Sequence, residues 1–278
     1  WPIHFALLNN DVLWVLDETQ LMGVGLSTSA QLEGFRRRFG TYGPAASLWM
    51  SATLEPARLA TVDLRGISLD ALGIEDDDRR DERLAPRLRA SKRLHRTTVP
   101  FQRDPARYAA ALSLDILAHH KPDTLTLVIV NRVARAQELR RALAKASPAT
   151  PIALIHSRFR PADRARLQAE ALAGGWHGIV VATQAIEAGV DISAATLFTE
   201  LAPWSSLVQR FGRCNRRGEL PDGGDVFWID LPNDDRDAVP YEVPALVEAR
   251  QRLSTCSDVG ILSLIHPPAS AALRPVGP

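Results

Sequence analysis

Cysteine is nearly absent from the chain: Cys214 and Cys256 are the only two in 278 residues. They form neither a metal-ligand spacing nor a disulfide framework, which fits a reducing, cytoplasmic setting. Long apolar runs are missing as well, and none reaches the ~20 residues that a membrane helix requires. Charge of one sign is not in excess. The net charge is +1, so nothing draws the whole chain toward nucleic acid or membrane, and any such surface has to come from local clusters. The opening WPIHFALLNND lacks a basic region and a cleavage site, so it does not read as a signal peptide. It begins on Trp1 rather than methionine, as a processed or truncated chain would. No internal repeat is found. Nor is there a G-x-x-x-x-G-K-[ST] stretch anywhere, the loop whose backbone N–H groups and lysine cradle phosphates.

What remains is an ordinary globular composition, 46% hydrophobic and 23% charged, long enough for one large or two modest domains. Short apolar runs at 11–18, 46–53, 124–131, 151–157, 177–183, 195–201 and 224–231 read as strands. Several are apolar throughout, as strands covered on both faces must be. Helical patterns fall between them, at 134–146 and 161–175, the second with Pro near its start and Gly at its end. This alternation predicts an α/β fold with mostly parallel sheets. The stretch 62–100 breaks the rhythm with a run of charge and reads as a linker. It divides a short first piece, 1–61, from a fuller second domain, 101–235. Residues 236–278 then read as a helix and a Pro-rich tail.

Polar groups collect where the predicted strands end, which is where α/β sheets place their chemistry. Asp17 and Glu18 follow the first strand in VLWVLDETQ. Paired carboxylates there suit a division of labour, one holding Mg²⁺ and the other orienting or deprotonating a water. An acidic turn reads the same way. Ser51 and Thr53, in SAT, close the second strand and suit either a link between domains or a cap. His156 and Arg158, in HSRF, are candidates for a phosphate backbone, although a histidine at a strand end also serves as a structural hydrogen-bonder. In ATQAIEAGVDI, Thr183 and Gln184 are positioning donors for a sugar-phosphate strand, and Asp191 follows Gly189, where close backbone packing needs no side chain. A strand–turn–helix with a capping threonine is the alternative.

The segment QRFGRCNRRG is the sharpest signal. Arg210, Arg213 and Arg216 recur every third residue on a predicted helix, within reach of one another. Such cations repel unless an anion neutralises them, and guanidinium matches a transferring phosphoryl group. The apolar flank LAPWSSLVQRFG argues for a half-buried helix over a solvated basic face.

Taken in order, DETQ, SAT, ATQAIEAGVDI and QRFGRCNR resemble the motifs of superfamily 2 helicases, over about residues 11 to 231. HSRF, the following DR at 163–164 and the last two motifs are most similar to the helicase part of the CRISPR-associated helicase–nuclease of type I systems. The resemblance implies two RecA-like domains, the first partial and the second nearly complete. It implies an ATP-dependent motor on single-stranded DNA, recruited by a Cascade-type surveillance complex in antiviral defence. Asp17 would hold Mg²⁺ and Glu18 would activate water. Gln20, Ser51 and Thr53 would couple hydrolysis to movement, with Gln20 standing where the family usually has His. His156, Arg158, Thr183 and Gln184 would serve the DNA. Asp191, Gly189, Gln209 and Arg210 would lie near ATP, and Arg213 and Arg216 would reach its γ-phosphate. The phosphate loop and a His-Asp nuclease would precede residue 1, so the chain alone would be inactive. A first domain lacking its opening strands would expose edges and apolar surface. The motifs also admit a DNA-repair or RNA helicase of the same superfamily, or a non-catalytic nucleic-acid-binding module.

Overall fold

The computed structural model describes residues 2–52, 56–66, 68–159, 176–187 and 190–265. The expected helix at 161–175, the DR pair at 163–164, Thr53, Gly189 and the tail from 266 onward lie outside these. The chain divides into two units, Trp1–Gly73 and Ile74–Pro278.

In the first unit, helix α1 (Pro2–Leu8) leads to strand β1 (Val12–Leu16), helix α2 (Val24–Phe39) and strand β2 (Ala45–Trp49). The strands pair in parallel, Val12 opposite Ala45 and Leu16 opposite Trp49. Parallel neighbours need a crossover, and α2 supplies it. Leu26 and Ala30 of α2 form a small core with Leu59 and Leu64, against Met22 and Trp49. Gly34 permits this approach, since a Cβ there would stand 2.6 Å from the Asp63 carbonyl oxygen. A polar knot ties the elements together: buried Arg36 donates to Glu33 at 2.5 Å, Asn9 at 2.6 Å and Ser47 at 2.5 Å. Strand β1 is not covered on both faces. Leu13 and Val15 remain 62% and 51% exposed, so apolar surface stands open there.

The second unit is built on a six-stranded, wholly parallel sheet. After two short helices, α3 (Asp76–Arg80) and α4 (Ala85–Arg89), come β3 (Lys92–Arg96), α5 (Pro105–His119), β4 (Leu125–Ile129), α6 (Val133–Ala146) and β5 (Ile152–Ile155). Then follow β6 (Gly178–Ala182), β7 (Thr196–Glu200), α7 (Trp204–Phe211), β8 (Gly224–Ile229), α8 (Asp235–Ala238), α9 (Val243–Ser254) and α10 (Ile261–Ile265). The strand order is β3-β8-β7-β4-β6-β5. One face packs Tyr108, Leu112 and Ile116 of α5 and Leu139 and Leu143 of α6 on Val128, Val181 and Phe198. The other packs Leu207 and Phe211 of α7 and Leu246 and Leu253 of α9 on Leu127, Val180, Leu197 and Val226. Strands β6 and β7 are buried along their whole length, β6 as its unbroken apolar sequence requires. Among the described residues no helix is long and apolar enough to cross a membrane.

The linker expected at 62–100 is corrected. Residues from Ile74 onward belong to the second unit, and 92–96 is the edge strand β3. Its charges are paired by the fold. Arg93 grips Asp225 with two bonds of 2.9 Å, and His95 and Lys121 meet the same carboxylate at 3.1 and 2.8 Å. On the opposite side Lys92 is buried and donates to the carbonyl of Phe211 at 2.9 Å, while burial lowers its pKa. The outer edge of β3 is covered by residues 257–259, through Leu94 N–H to Ser257 and Val259 N–H to Lys92. That cover blunts an exposed edge.

Candidate functional site

In the first unit the candidate residues meet at the carboxyl ends of β1 and β2. The backbones are pinned there by Met50 N–H to Leu16 at 2.8 Å and Thr19 N–H to Met50 at 3.1 Å. Asp17 is exposed, and its Oδ1 accepts the Glu18 N–H at 2.8 Å. Glu18 adopts φ 50 and ψ 48, the left-handed region that a non-glycine residue seldom visits. Such backbone costs free energy and concentrates where a side chain must be aimed. Gln20 bridges the two strand ends: its amide donates to Glu18 at 2.5 Å and its carbonyl accepts from Ser51 Oγ at 2.6 Å. The structure thus joins Glu18, Gln20 and Ser51 in one relay and sets Asp17 at its start. Asp17 suits a magnesium ion, which takes one or two carboxylates and otherwise water and phosphate oxygens. No group of three or more metal-ligating side chains occurs among the described residues, so a dedicated protein cage for such an ion is not seen among them.

In the second unit the candidates line the carboxyl edge after β5, β6 and β7. His156 is 5% exposed, and its ring stacks on Phe159 at 4.2 Å. Its Nδ1 faces the Arg158 N–H at 3.2 Å. Burial lowers its pKa, opposed by the backbone hydrogen bond and aided by the charge of Arg158. Thr183 is also buried, at 2%, and its side chain makes no capping hydrogen bond with the turn that follows. Gln184 is half-buried and donates to the Asn131 carbonyl at 3.0 Å. Of these four residues, Arg158 is exposed and Gln184 half-buried, while His156 and Thr183 are buried.

The arginines differ most from expectation. Helix α7 ends at Phe211, so Arg213 and Arg216 lie beyond it. The chain turns back through Asn215, φ 41, and Gly218, φ 72, where a Cβ would stand 2.1 Å from the Pro86 carbonyl oxygen. Each of the three arginines has partners within the unit. Arg210 has no exposed surface, and all five of its N–H donors are used within the unit. They reach Glu187 at 2.8 Å, Thr199 at 2.9 Å, the Glu200 carbonyl at 3.0 Å, Asn131 at 3.1 Å and Tyr241 at 3.0 Å. These bonds tie the helix end to the strand ends of the sheet. Arg213 is 5% exposed and donates to the carbonyls of Val190 and Glu187, each at 2.5 Å. Arg216 is exposed and pairs with Asp191 at 3.1 Å, and Arg217 meets the same carboxylate at 2.9 Å. Arg217, then Arg216 and Arg213, hold the Asp191 pKa below the usual carboxylate range. Gln209 is half-buried on the last turn of α7.

Four residues of this arrangement were not anticipated: Asn131, Glu187, Glu200 and Tyr241. Glu200 is fully buried at the end of β7. It accepts from Asn131 N–H at 2.6 Å, Arg135 at 3.0 Å and Tyr108 at 3.1 Å. A charged residue closing an otherwise apolar strand was the available signal.

Comparison with known proteins bears on what this edge belongs to. Residues 123–219 match the family model described as CRISPR-associated nuclease/helicase Cas3, C-terminal. A CRISPR-associated nuclease/helicase Cas3 of Haloferax volcanii is 40% identical over 116 residues, which is 40% of this chain and 12% of that protein. A putative one of Myxococcus xanthus is 35% identical over 167 residues, 57% of this chain and 21% of that protein. The crystal structure of T. fusca Cas3 with AMPPNP superposes on 93% of this chain and 35% of its own, with a TM-score of 0.61 at 19% identity. That last likeness carries the fold: the sheets are RecA-like. The chain spans about a tenth to a fifth of the length of the two relatives. Family model, relatives and fold agree in supporting a C-terminal helicase region of Cas3.

Proposed function

We propose that this chain is part of an ATP-dependent motor that moves on single-stranded DNA in CRISPR defence. The observation that carries the reading is the gathering of candidate groups at the carboxyl ends of parallel strands, where a RecA-like fold does its chemistry. In the first unit Asp17 would hold Mg²⁺, which would offset phosphate charge. Glu18 orients the attacking water and takes its proton as the water oxygen bonds to the γ-phosphorus and ADP departs. Gln20 and Ser51 report that event to the second strand end, and the reading extends to Thr53. In the second unit Arg158 and Gln184 hold the sugar-phosphate backbone, shaped by His156 and Thr183. Asp191, Gly189, Gln209, Arg213 and Arg216 serve the nucleotide. ATP, Mg²⁺, single-stranded DNA and a Cascade-type complex are the ligands and partner implied, and the cytoplasm the setting.

By itself, this chain has no G-x-x-x-x-G-K-[ST] loop to cradle phosphates. We therefore assign it nucleic-acid binding without ATP turnover, and assign turnover to a protein that carries the loop as well. In that protein, single-stranded DNA is expected to stimulate ATP hydrolysis, and Glu18→Gln to abolish hydrolysis while nucleotide still binds. Stimulation by RNA alone would point instead to an RNA helicase of the same superfamily. Tight ATP binding by this chain alone would overturn the division of labour.

A further inference from the structure

Four residues of the second unit form a closed ring of hydrogen bonds. The Gln184 amide donates to the Asn131 carbonyl at 3.0 Å. The Asn131 side-chain oxygen accepts from Arg210 at 3.1 Å. Arg210 Nε donates to Glu187 Oε1 at 2.8 Å. The Glu187 N–H donates back to the Gln184 carbonyl at 3.0 Å. Glu187 has a second task, because its own carbonyl accepts from Arg213 at 2.5 Å. Its carboxylate thus holds the arginine on the helix, and its backbone holds the arginine beyond it.

We propose that Glu187 is a positioning residue that makes the turn after β6 and the segment 213–216 move as one body. A strand seated on Gln184 is then felt at Arg213 and Arg216. The inference rests on the nucleic-acid reading of Gln184. Its physical basis is the low tolerance of a buried network for partial opening. Arg210 is fully buried with its donors saturated, so shifting Gln184 or Asn131 strands a buried charge unless Glu187 and Arg210 follow. The Arg213 segment is tied in turn to the next strand, by Asn215 N–H to Ala194 at 2.9 Å and Ala194 N–H to Arg213 at 2.8 Å.

The test is amide hydrogen exchange on this chain, free and with an oligo(dT) strand. Glu187→Gln keeps an acceptor for Arg210 but gives up the charge, a loss worth roughly tenfold in local opening. It is expected to speed exchange at 184–187 and at 213–216 by the same factor, leaving β4 and β7 unchanged. Glu187→Ala is expected to do so more strongly, with the glutamine variant partly rescued toward wild type. If the alanine variant opens the whole sheet, the glutamine variant alone decides. Acceleration of one segment without the other overturns the proposal. In wild type, oligo(dT) is expected to slow exchange at both segments, and in Glu187→Gln at 184–187 alone. Slowing confined to 184–187 in wild type overturns the relay while the nucleic-acid reading stands. Slowing at neither segment overturns both.

Discussion

Ser51 gives its hydroxyl hydrogen to the side-chain oxygen of Gln20 across 2.6 Å, and the Gln20 amide meets Glu18 at 2.5 Å. Glutamine suits this place because it donates on one side and accepts on the other. Ser51→Ala takes away the donor and leaves Gln20 to Glu18 alone. In the protein that carries the phosphate loop, ATP turnover is expected to persist while strand movement per ATP falls roughly tenfold, the effect of one hydrogen bond. Parallel assays of hydrolysis and unwinding check this. Equal losses in both would assign Ser51 to the chemistry instead.

The two units differ in what they bury. The first has a core of Leu26, Ala30, Leu59 and Leu64, with Leu13 and Val15 left open. The second has an apolar layer on each side of its sheet. Urea is therefore expected to unfold the first unit at lower concentration, giving two fluorescence transitions, one from Trp14 and Trp49 and the other from Trp204 and Trp228. Leu26→Ala should move only the earlier transition, at a cost of about 2–5 kcal/mol. Leu13→Thr should change it by no more than ~0.5 kcal/mol. A single coincident transition would contradict the lower stability expected of the first core.

Strands with apolar sequences were legible because burial on two faces leaves one composition open to them. All seven predicted runs are strands, among them β4, β6 and β7 in the middle of the sheet. Strand β3, KRLHR, was hidden because its charges are satisfied by distant residues: Asp225 for Arg93 and His95, and the Phe211 carbonyl for Lys92. Spacing along a sequence carries no trace of a partner more than a hundred residues away. The arginines were misread for a related reason. A repeat of three suggests a continuing helix, but the left-handed backbone of Asn215 turns the chain back to its bridge with Ala194. The carboxylates that pair with these arginines, Glu187 and Asp191, lie inside the motif before. Asp17, Glu18, Gln20 and Ser51 sit together as their places at two strand ends implied.

His156 makes the stability of the second unit depend on pH. Burial lowers its pKa in the folded state, whereas the unfolded chain keeps a value near 6.5. The unfolded chain therefore takes up the proton first as pH falls. The stabilisation is complete above the unfolded value and is lost as pH drops toward the folded one. His120, also lowered by burial, acts in the same direction. Urea midpoints of the second unit should fall between pH 7 and pH 5, and His156→Gln should flatten that slope while His120→Gln flattens the remainder. An unchanged slope in His156→Gln would show that its ring is not held neutral.

Arg210, Arg213 and Arg216 should separate under substitution because their surroundings differ. Arg210→Ala leaves Glu187 and the Asn131 side chain without their buried partner. Removing one side of a buried ion pair costs about 3–5 kcal/mol, so the second unit should lose that much in a urea titration. Arg213→Ala frees two carbonyls next to the same turn and should also destabilise, by about 1–3 kcal/mol. Arg216 is exposed and paired with an exposed Asp191, and such pairs contribute ~0–1 kcal/mol. Arg216→Ala should therefore leave the urea midpoint where it is, yet abolish DNA-stimulated ATP hydrolysis in the protein that carries the phosphate loop. Retained hydrolysis would remove Arg216 from the nucleotide, while a large loss of stability would mean that its pairing with Asp191 holds the fold rather than waits on a ligand.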